Sequence, residues 1–289
     1  MIKEITAKTM LSHVPGPDNW FGLKYNMNLY RGCAHGCIYC DSRSSCYRIE
    51  NFSDILVKTN AIELLKKELP SKRVKGTIGT GSMNDPYQPV EKQYQLTRKS
   101  LELMVRYSFP VHMITKSDLV LRDIDLLRQI SKTYAAVTFT VITTNDQLAA
   151  VIEPGAPLPS QRLKALEELS KNGIYTGITM MPLLPFITDT EENVKDIVRR
   201  ARDSGAKYII PVFGMSIRQG QREYYYQKLD EHFPDLKSRY EKDYGQQYQC
   251  PSPDHDRLGK VFLEACDRNG LRPGMEFYQP QNKCQPTLF

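Results

Sequence analysis

Three cysteines separated by three and two residues stand close together in the segment Cys33-Ala-His-Gly-Cys37-Ile-Tyr-Cys40. That spacing brings three thiolates around one compact centre, and thiolates are the ligands that soft metals and iron–sulfur clusters select. Gly32 and Gly36 allow positive φ values, so the backbone can turn tightly enough for the sulfurs to point inward together. Met27 and Leu29 alternate with polar residues, which predicts that the loop leaves the end of a strand.

A structural zinc site is the alternative, with Cys46 or His35 as the fourth ligand. A closed zinc site usually contains two separated pairs of ligands, whereas this chain crowds three onto one loop and no CxxC or HxxxH follows. A disulfide fits less well, because the chain begins Met-Ile-Lys-Glu without an apolar signal region, which predicts a reducing compartment.

The motif CxxxCxxC with Tyr39 before its last cysteine resembles that of the radical S-adenosylmethionine (SAM) superfamily, and the segment 30–40 looks like the spore photoproduct lyase-like branch. The resemblance implies a [4Fe-4S] cluster on Cys33, Cys37 and Cys40, which are the metal ligands and catalytic residues, with one open iron that chelates SAM. It implies that the reduced cluster cleaves SAM to a 5′-deoxyadenosyl radical, which abstracts hydrogen from a substrate. It also implies an electron donor such as a flavodoxin or ferredoxin.

Strand and helix patterns alternate about six times along residues 25 to 215. Strands are predicted before the cysteine loop and at 76–81, 111–115, 136–143, 175–180 and 208–212, and helices at 58–69, 91–106, 123–131, 160–172 and after 188. Pro70 is expected to close the first helix, a capping box at Thr188–Glu191 to open the last, and Pro211 to weaken the last strand or mark an edge.

The alternation predicts an α/β fold with a parallel sheet and helices outside, either an open doubly wound sheet or an incomplete βα barrel. The resemblance implies a partial (β/α)6, TIM-like barrel. Residues 1–24 are expected to form a lead-in, residues 25–215 the core barrel, and residues 216–289 a helical extension that covers the open side or mouth. No apolar run approaches the ~18 residues of a membrane helix, so a cytoplasmic protein is expected.

Sites in both sheet architectures gather at the carboxyl ends of the strands. After the second strand a small polar run contains Ser82, Asn84 and Asp85, which the resemblance implies support the amino group of SAM; a turn before Pro86 is the alternative.

Three further residues are cofactor-binding candidates. Lys116, after the third strand, could pair with a carboxylate, as the resemblance implies, or be an ordinary exposed lysine. Thr140 shares the hydroxyl-bearing face of the fourth strand with Thr138, although a β-branched residue needs no function there. Tyr39 of the cysteine motif completes the set.

The segment from Glu153 to Arg162 looks like the Glu-Pro segment of the same family, and Met180, Met181, Pro182 and Pro185 would supply an apolar wall for an adenosyl group or pack the core. Three late cysteines could join Cys46 in an auxiliary cluster or remain free thiols; they are Cys250, Cys266 and Cys284.

The substrate is the least constrained feature. Spore photoproduct lyase has a cysteine hydrogen donor in the loop after the second strand, whereas this chain has Ser82 and Met83 there; Cys46 or a tyrosine such as Tyr87 could serve as the donor instead. The resemblance and the net charge of +6 favour a nucleic acid or nucleotide. The alternatives are a peptide or small metabolite, or a non-enzymatic zinc or iron–sulfur module that binds nucleic acid.

Overall fold

The computed structural model describes residues 1–49 and 51–280. The strands are β1 (Ile2–Ile5), β2 (Leu11–His13), β3 (Leu23–Met27), β4 (Tyr30–Arg31), β5 (Ile55–Lys58), β6 (Thr77–Thr80), β7 (Val111–Thr115), β8 (Ala135–Thr140), β9 (Tyr175–Leu183), β10 (Tyr208–Ser216) and β11 (Gln249–Pro251). The helices are α1 (Ala61–Ser71), α2 (Glu91–Tyr94), α3 (Leu96–Tyr107), α4 (Ile124–Ile130), α5 (Asp146–Ile152), α6 (Pro159–Lys171), α7 (Glu191–Asp203), α8 (Gln221–His232), α9 (Leu236–Tyr244) and α10 (His255–Asn269).

Eight strands form one sheet in the order β11-β10-β9-β8-β7-β6-β3-β2. The six strands from β3 to β10 in that order run parallel, and β2 and β11 add antiparallel at the two ends. Helices connect the parallel strands, as parallel pairing requires. The α/β class and the six parallel strands are therefore as predicted, and their carboxyl ends meet on one side of the sheet.

The sequence pattern predicted that the cysteine loop follows β3 directly, but the structure differs. The chain first passes through the two-residue strand β4, which belongs to a second sheet of order β1-β5-β4. Met27 ends β3 and Leu29 lies in the bend before β4, and the two residues alternate with polar neighbours because both are buried. The cysteine loop therefore follows a strand of the second sheet.

Several helix boundaries differ from those predicted. Pro70 lies inside the last turn of α1 rather than after it. The predicted helix 91–106 is broken at Gln95, which has a φ of 54° and separates α2 from α3. Helix α4 begins at Ile124, after a 3₁₀ turn at Asp118–Asp123, and α5 was not predicted.

Helix α7 begins later than the predicted capping box implies. Thr190 is the N-cap, and its side chain accepts a hydrogen bond from the Asn193 N–H. The Thr188 hydroxyl instead accepts from the Leu184 N–H at 2.7 Å. Pro211 is tolerated in β10 because β11 pairs with β10 only at Gly214–Ser216, so the strand is an edge where the proline lies.

Several of the residues 217–280 pack against the sheet. Helix α10 covers α7 and β10, with Phe262 against Phe213, and β11 extends the sheet beyond β10. Met275 packs with Tyr208 in a small apolar cluster separate from the main core, and Arg272 forms a β-bridge to Tyr208. No helix in the described part of the chain is long and apolar enough to cross a membrane.

Candidate SAM and iron–sulfur site

The backbone of the cysteine loop is shaped by two glycines in the left-handed region. Gly32 and Gly36 have φ values of 76° and 65°, as their sequence positions predicted. A Cβ atom at Gly32 would lie 2.3 Å from the carbonyl oxygen of Asp54, so no other residue fits there without displacing that segment. Buried Gln88 fixes the same turn, because it accepts a hydrogen bond from the Ala34 N–H at 3.0 Å and donates to the Gly32 carbonyl at 3.3 Å.

The other side of the loop is docked on residues 152–155, at the end of α5. The Ile38 N–H donates to the Ile152 carbonyl at 2.9 Å, and the Gly155 N–H donates to the His35 carbonyl at 2.8 Å. A Cβ atom at Gly155 would lie 2.3 Å from the Ala34 carbonyl oxygen. The close approach of the two backbones therefore depends on a glycine at position 155.

The three cysteines differ in exposure. Cys33 and Cys37 are buried and Cys40 is half-buried. Burial raises the pKa of Cys33 above its ordinary range and raises the pKa of Cys37 to about 12, although Lys116 opposes the second shift. Thiols of this kind lose their protons when a metal centre binds, because the metal coordinates the thiolate form.

The two residues considered as the fourth ligand of a zinc site have other partners. His35 is buried with its Nδ1 atom 3.4 Å from the Asp85 carboxylate. Cys46 is exposed, and its sulfur is 3.4 Å from the guanidinium of Arg218. Within residues 1–49 and 51–280, no three His, Cys, Asp or Glu side chains are arranged to hold a single metal ion.

A cavity of about 680 Å³ opens beside the loop, at the carboxyl ends of the parallel strands. All nine predicted site residues line it: Cys33, Cys37, Tyr39, Cys40, Ser82, Asn84, Asp85, Lys116 and Thr140. Its size is in the range of small-molecule and cofactor pockets. Three thiols on one loop suit a cluster held by three cysteines, and the adjoining cavity leaves room for a ligand at a fourth position.

Asp85 joins the loop after β6 to the end of β7 at the cavity wall. Its carboxylate accepts hydrogen bonds from the Thr115 hydroxyl and the Lys116 N–H, both at 2.7 Å, and from the Tyr87 N–H at 2.8 Å. Asn84 donates to the Tyr30 carbonyl at 2.7 Å. These two side chains thus order the loop after β6, and any role in binding an ammonium group stays a prediction.

A cluster of three charges, of which Glu153 and Arg162 are buried and Lys116 is partly exposed, lies beside the cysteine loop. The Glu153 carboxylate accepts a hydrogen bond from the Tyr39 hydroxyl, and its oxygens lie 2.6 Å from an Arg162 nitrogen and 3.8 Å from Lys116 Nζ. Arg162 also donates to the Thr140 carbonyl at 3.0 Å. Glu153 and Arg162 stand out in the sequence, but nothing there places them against Tyr39.

All three charged groups of this cluster are ionised at neutral pH. Burial opposes each charge, yet Arg162 and Lys116 hold the pKa of Glu153 below its ordinary value. The pKa of Arg162 is raised by Glu153, and that of Lys116 by Cys37 and Glu153, in both cases against burial. The cluster therefore carries one net positive charge, and Lys116 presents its ammonium at the cavity wall.

The cavity also contains residues that sequence reasoning missed. Thr179 of β9 lines it, as do Tyr248, Cys250 and His255 from the C-terminal region, where β11 pairs with β10 and His255 packs against Phe213. Of the predicted apolar wall, Met181 and Pro182 line the cavity, and Met180 belongs to the main core. The proposed hydrogen donors Cys46 and Tyr87 are not among its lining residues.

The other cysteines of the described residues lie in separate parts of the structure. Cys266 is buried in α10, Cys250 is buried in β11, and Cys46 is exposed. Cys284 lies outside the described residues. The alternative of an auxiliary cluster gains no support from these positions.

Proteins of known sequence resemble the chain over most of its length. An uncharacterised protein of Mycobacterium tuberculosis is 29% identical over 251 residues, which cover 83% of this chain and 73% of the relative. A radical SAM Nalpha-GlyT isomerase of Pseudomonas phage M6 is 26% identical over 181 residues, covering 63% of this chain and 37% of the phage protein.

Solved structures of spore photoproduct lyase share the fold. A tyrosine-to-phenylalanine mutant of that enzyme superposes with a TM-score of 0.68 at 14% identity, covering 94% of this chain and 80% of that chain. Other structures of the same lyase contain a dinucleoside spore photoproduct, in one case together with AdoMet.

A family comparison covers the cysteine loop and the parallel strands from β6 to β9. The model of the Radical SAM superfamily matches residues 27–201, which include every predicted site residue. The chain therefore belongs to the Radical SAM superfamily, whose enzymes cleave SAM at an iron–sulfur cluster and need a reductant to do so.

Proposed function

We propose that Cys33, Cys37 and Cys40 hold a [4Fe-4S] cluster and that the adjoining cavity binds SAM. The observation that carries the proposal is that all nine predicted site residues, from four separate segments of the chain, line one cavity of about 680 Å³. When bound, the reduced cluster supplies the electron that cleaves SAM to a 5′-deoxyadenosyl radical.

The protein's own residues would orient the cofactor. Lys116 places a positive charge at the cavity wall, where it suits the carboxylate of SAM, and the polar loop of Ser82, Asn84 and Asp85 lines the same space and suits its ammonium group.

The rest of the wall would shape the site around these charged groups. Tyr39 and Thr140 line the same cavity and would contact the bound cofactor. Met181 and Pro182 add an apolar surface that would exclude water from the reacting centre.

For the substrate we propose a nucleotide or nucleic acid. The support is the dinucleoside spore photoproduct bound by the structural neighbour and the net charge of +6 of this chain. A flavodoxin or ferredoxin would supply the electron.

The test is an anaerobic reconstitution with iron and sulfide, followed by reduction, addition of SAM and measurement of 5′-deoxyadenosine. Wild type should produce it, and Cys37→Ala should fall to background because one cluster ligand is lost. Cys266→Ala is the matched control, since this buried thiol lies in α10 and not on the cavity wall.

Two outcomes would contradict the proposal. Zinc that co-purifies with the protein, without any SAM cleavage after reconstitution, would show that the cysteine loop is a structural zinc site. Salt-sensitive DNA binding without SAM cleavage would instead indicate a nucleic-acid-binding module.

A further inference from the structure

The pair Glu153–Arg162 has no part in the function proposed so far, yet it lies directly under the cysteine loop. Both side chains are essentially fully buried. Glu153 is separated from Tyr39 by more than a hundred positions in the chain, and the fold brings its carboxylate into hydrogen-bond contact with the hydroxyl of this aromatic residue between two cysteines.

Buried ion pairs are costly to desolvate, and replacing one with apolar residues is often neutral or stabilising, so stability alone is a weak explanation for this pair. Each group here has several partners. Arg162 donates to the Pro157 carbonyl at 2.7 Å and to the Thr140 carbonyl at 3.0 Å, and it also pairs with Glu153 at 2.6 Å. The carboxylate is consequently fixed in place and can in turn fix Tyr39.

Positive charges outnumber negative charges near the thiols. Lys116 and Arg162 are positive, and Glu153 cancels one of them, at the side of the cavity where the cysteines lie. The reduction potential of an iron–sulfur cluster depends on the charges, hydrogen bonds and solvent exposure around it. Removal of a nearby negative charge stabilises the more negative, reduced cluster, and removal of a positive charge destabilises it.

We propose that the Glu153–Arg162 pair positions the cysteine loop through Tyr39 and, by cancelling one of the two positive charges near the thiols, keeps the reduction potential of the cluster low. A low potential matters in a site whose reduced cluster must pass an electron to SAM. Glu153 acts through Tyr39 and through its charge and is a positioning residue. This inference rests on the proposed cluster site.

The test compares two variants that change the buried charge in opposite directions. Glu153→Gln keeps an oxygen that can accept from Tyr39 but removes the negative charge, so the midpoint potential of the cluster should rise. Lys116→Gln removes a positive charge, so the potential should fall. Both potentials are measured on reconstituted protein by anaerobic titration with dithionite and redox dyes, followed by electron paramagnetic resonance, after iron and sulfide have been counted.

Glu192→Gln is the matched control, since Glu192 is an exposed carboxylate on α7. The midpoint potential of the cluster in this variant should equal that of wild type. Tyr39→Phe tests the positioning step: it leaves the charges in place, so the potential should change little, and iron should be lost faster to a chelator.

The inference is wrong if Glu153→Gln has normal cluster content and an unchanged potential. It is also wrong if the potential shifts in the same direction in both charge variants. Either result would leave the proposed function intact. If Glu153→Gln does not fold or take up iron, Lys116→Gln decides, and an unchanged potential there overturns it. Wild type that takes up no [4Fe-4S] cluster would overturn the proposed function and this inference together.

Discussion

Surroundings decide the protonation state of several single residues, and His112 of β7 is the clearest case outside the cavity. It is fully buried, with Nε2 2.6 Å from the Thr138 hydroxyl, which lies 2.6 Å from the Tyr208 hydroxyl. Phe21 stacks on the imidazole. Burial lowers the pKa of His112 from 6.5 to about 3, and the charge of Asp18 opposes the shift. The histidine is therefore neutral in the folded protein at pH 7.

This shift predicts a loss of stability in mild acid. Because the pKa in the folded state lies below that of the unfolded chain, the unfolded state binds the proton first, and stability present above pH 6.5 is lost as the pH falls toward 3. Between pH 7 and 5 the histidine should account for about 2 kcal/mol of the decrease in the free energy of unfolding.

The measurement is urea denaturation of wild type and His112→Gln at several pH values. The variant should lose about 2 kcal/mol less than wild type between pH 7 and 5. His232→Gln, at an exposed position in α8, is the control and should follow wild type. Parallel curves for wild type and His112→Gln would contradict the assignment.

At the scale of elements, the cysteine loop and residues 152–155 form one unit, since backbone hydrogen bonds and the Tyr39–Glu153 contact join them. The sequence singles out both segments separately. What it does not show is that α5 ends where the loop needs a partner. The loop thus depends on a segment more than a hundred residues away for its conformation.

Gly155→Ala tests this dependence. The new methyl group would lie 2.3 Å from the Ala34 carbonyl oxygen, so the two segments must separate. We expect a loss of about 1–3 kcal/mol in the free energy of unfolding, as is typical of overpacking, and weaker retention of iron in the presence of a chelator.

The control for this substitution is Gly259→Ala, within α10. A Cβ atom at Gly259 would have its nearest neighbour, a ring carbon of Phe213, at 4.0 Å. Because alanine favours a helix over glycine, this variant should be unchanged or more stable by up to about 1 kcal/mol. Equal behaviour of the two variants would show that the close approach at Gly155 is not important.

At the scale of the whole molecule, the division into residues 1–24, 25–215 and 216–289 remains a prediction. The C-terminal region continues the main sheet through β11, covers α7 and β10 with α10, and supplies part of the cavity wall. These contacts lead us to expect that the barrel and the extension unfold as one cooperative unit.

Phe262→Ala tests that expectation. The ring packs against Phe213 of β10, so its removal should cost about 3–5 kcal/mol and leave a single unfolding transition when far-UV circular dichroism and the fluorescence of the one tryptophan, Trp20, are compared. Neighbouring Leu263 is 55% exposed, and Leu263→Ala should change stability by less than about 0.5 kcal/mol. Two separate transitions would show that residues 216–289 fold independently.

Local patterns predicted much of this molecule. Cysteine spacing, the glycines of the loop and the alternation of strand and helix patterns depend on neighbours in the chain, and from them came the expected metal centre, the six parallel strands and the position of the site at their carboxyl ends. Helix boundaries were less well predicted at Pro70, Gln95 and Thr188, because caps and breaks depend on hydrogen bonds that a periodic pattern does not specify.

Contacts between groups that are far apart in the chain could not be predicted from these patterns. Residues 152–155 support the cysteine loop, and Glu153 pairs with both Arg162 and Lys116. Tyr248, Cys250 and His255 reach the cavity from the C-terminal region. The physical reason is that hydrogen bonds and charge interactions act through space over a few ångströms, whereas periodicity and spacing report only separations along the chain.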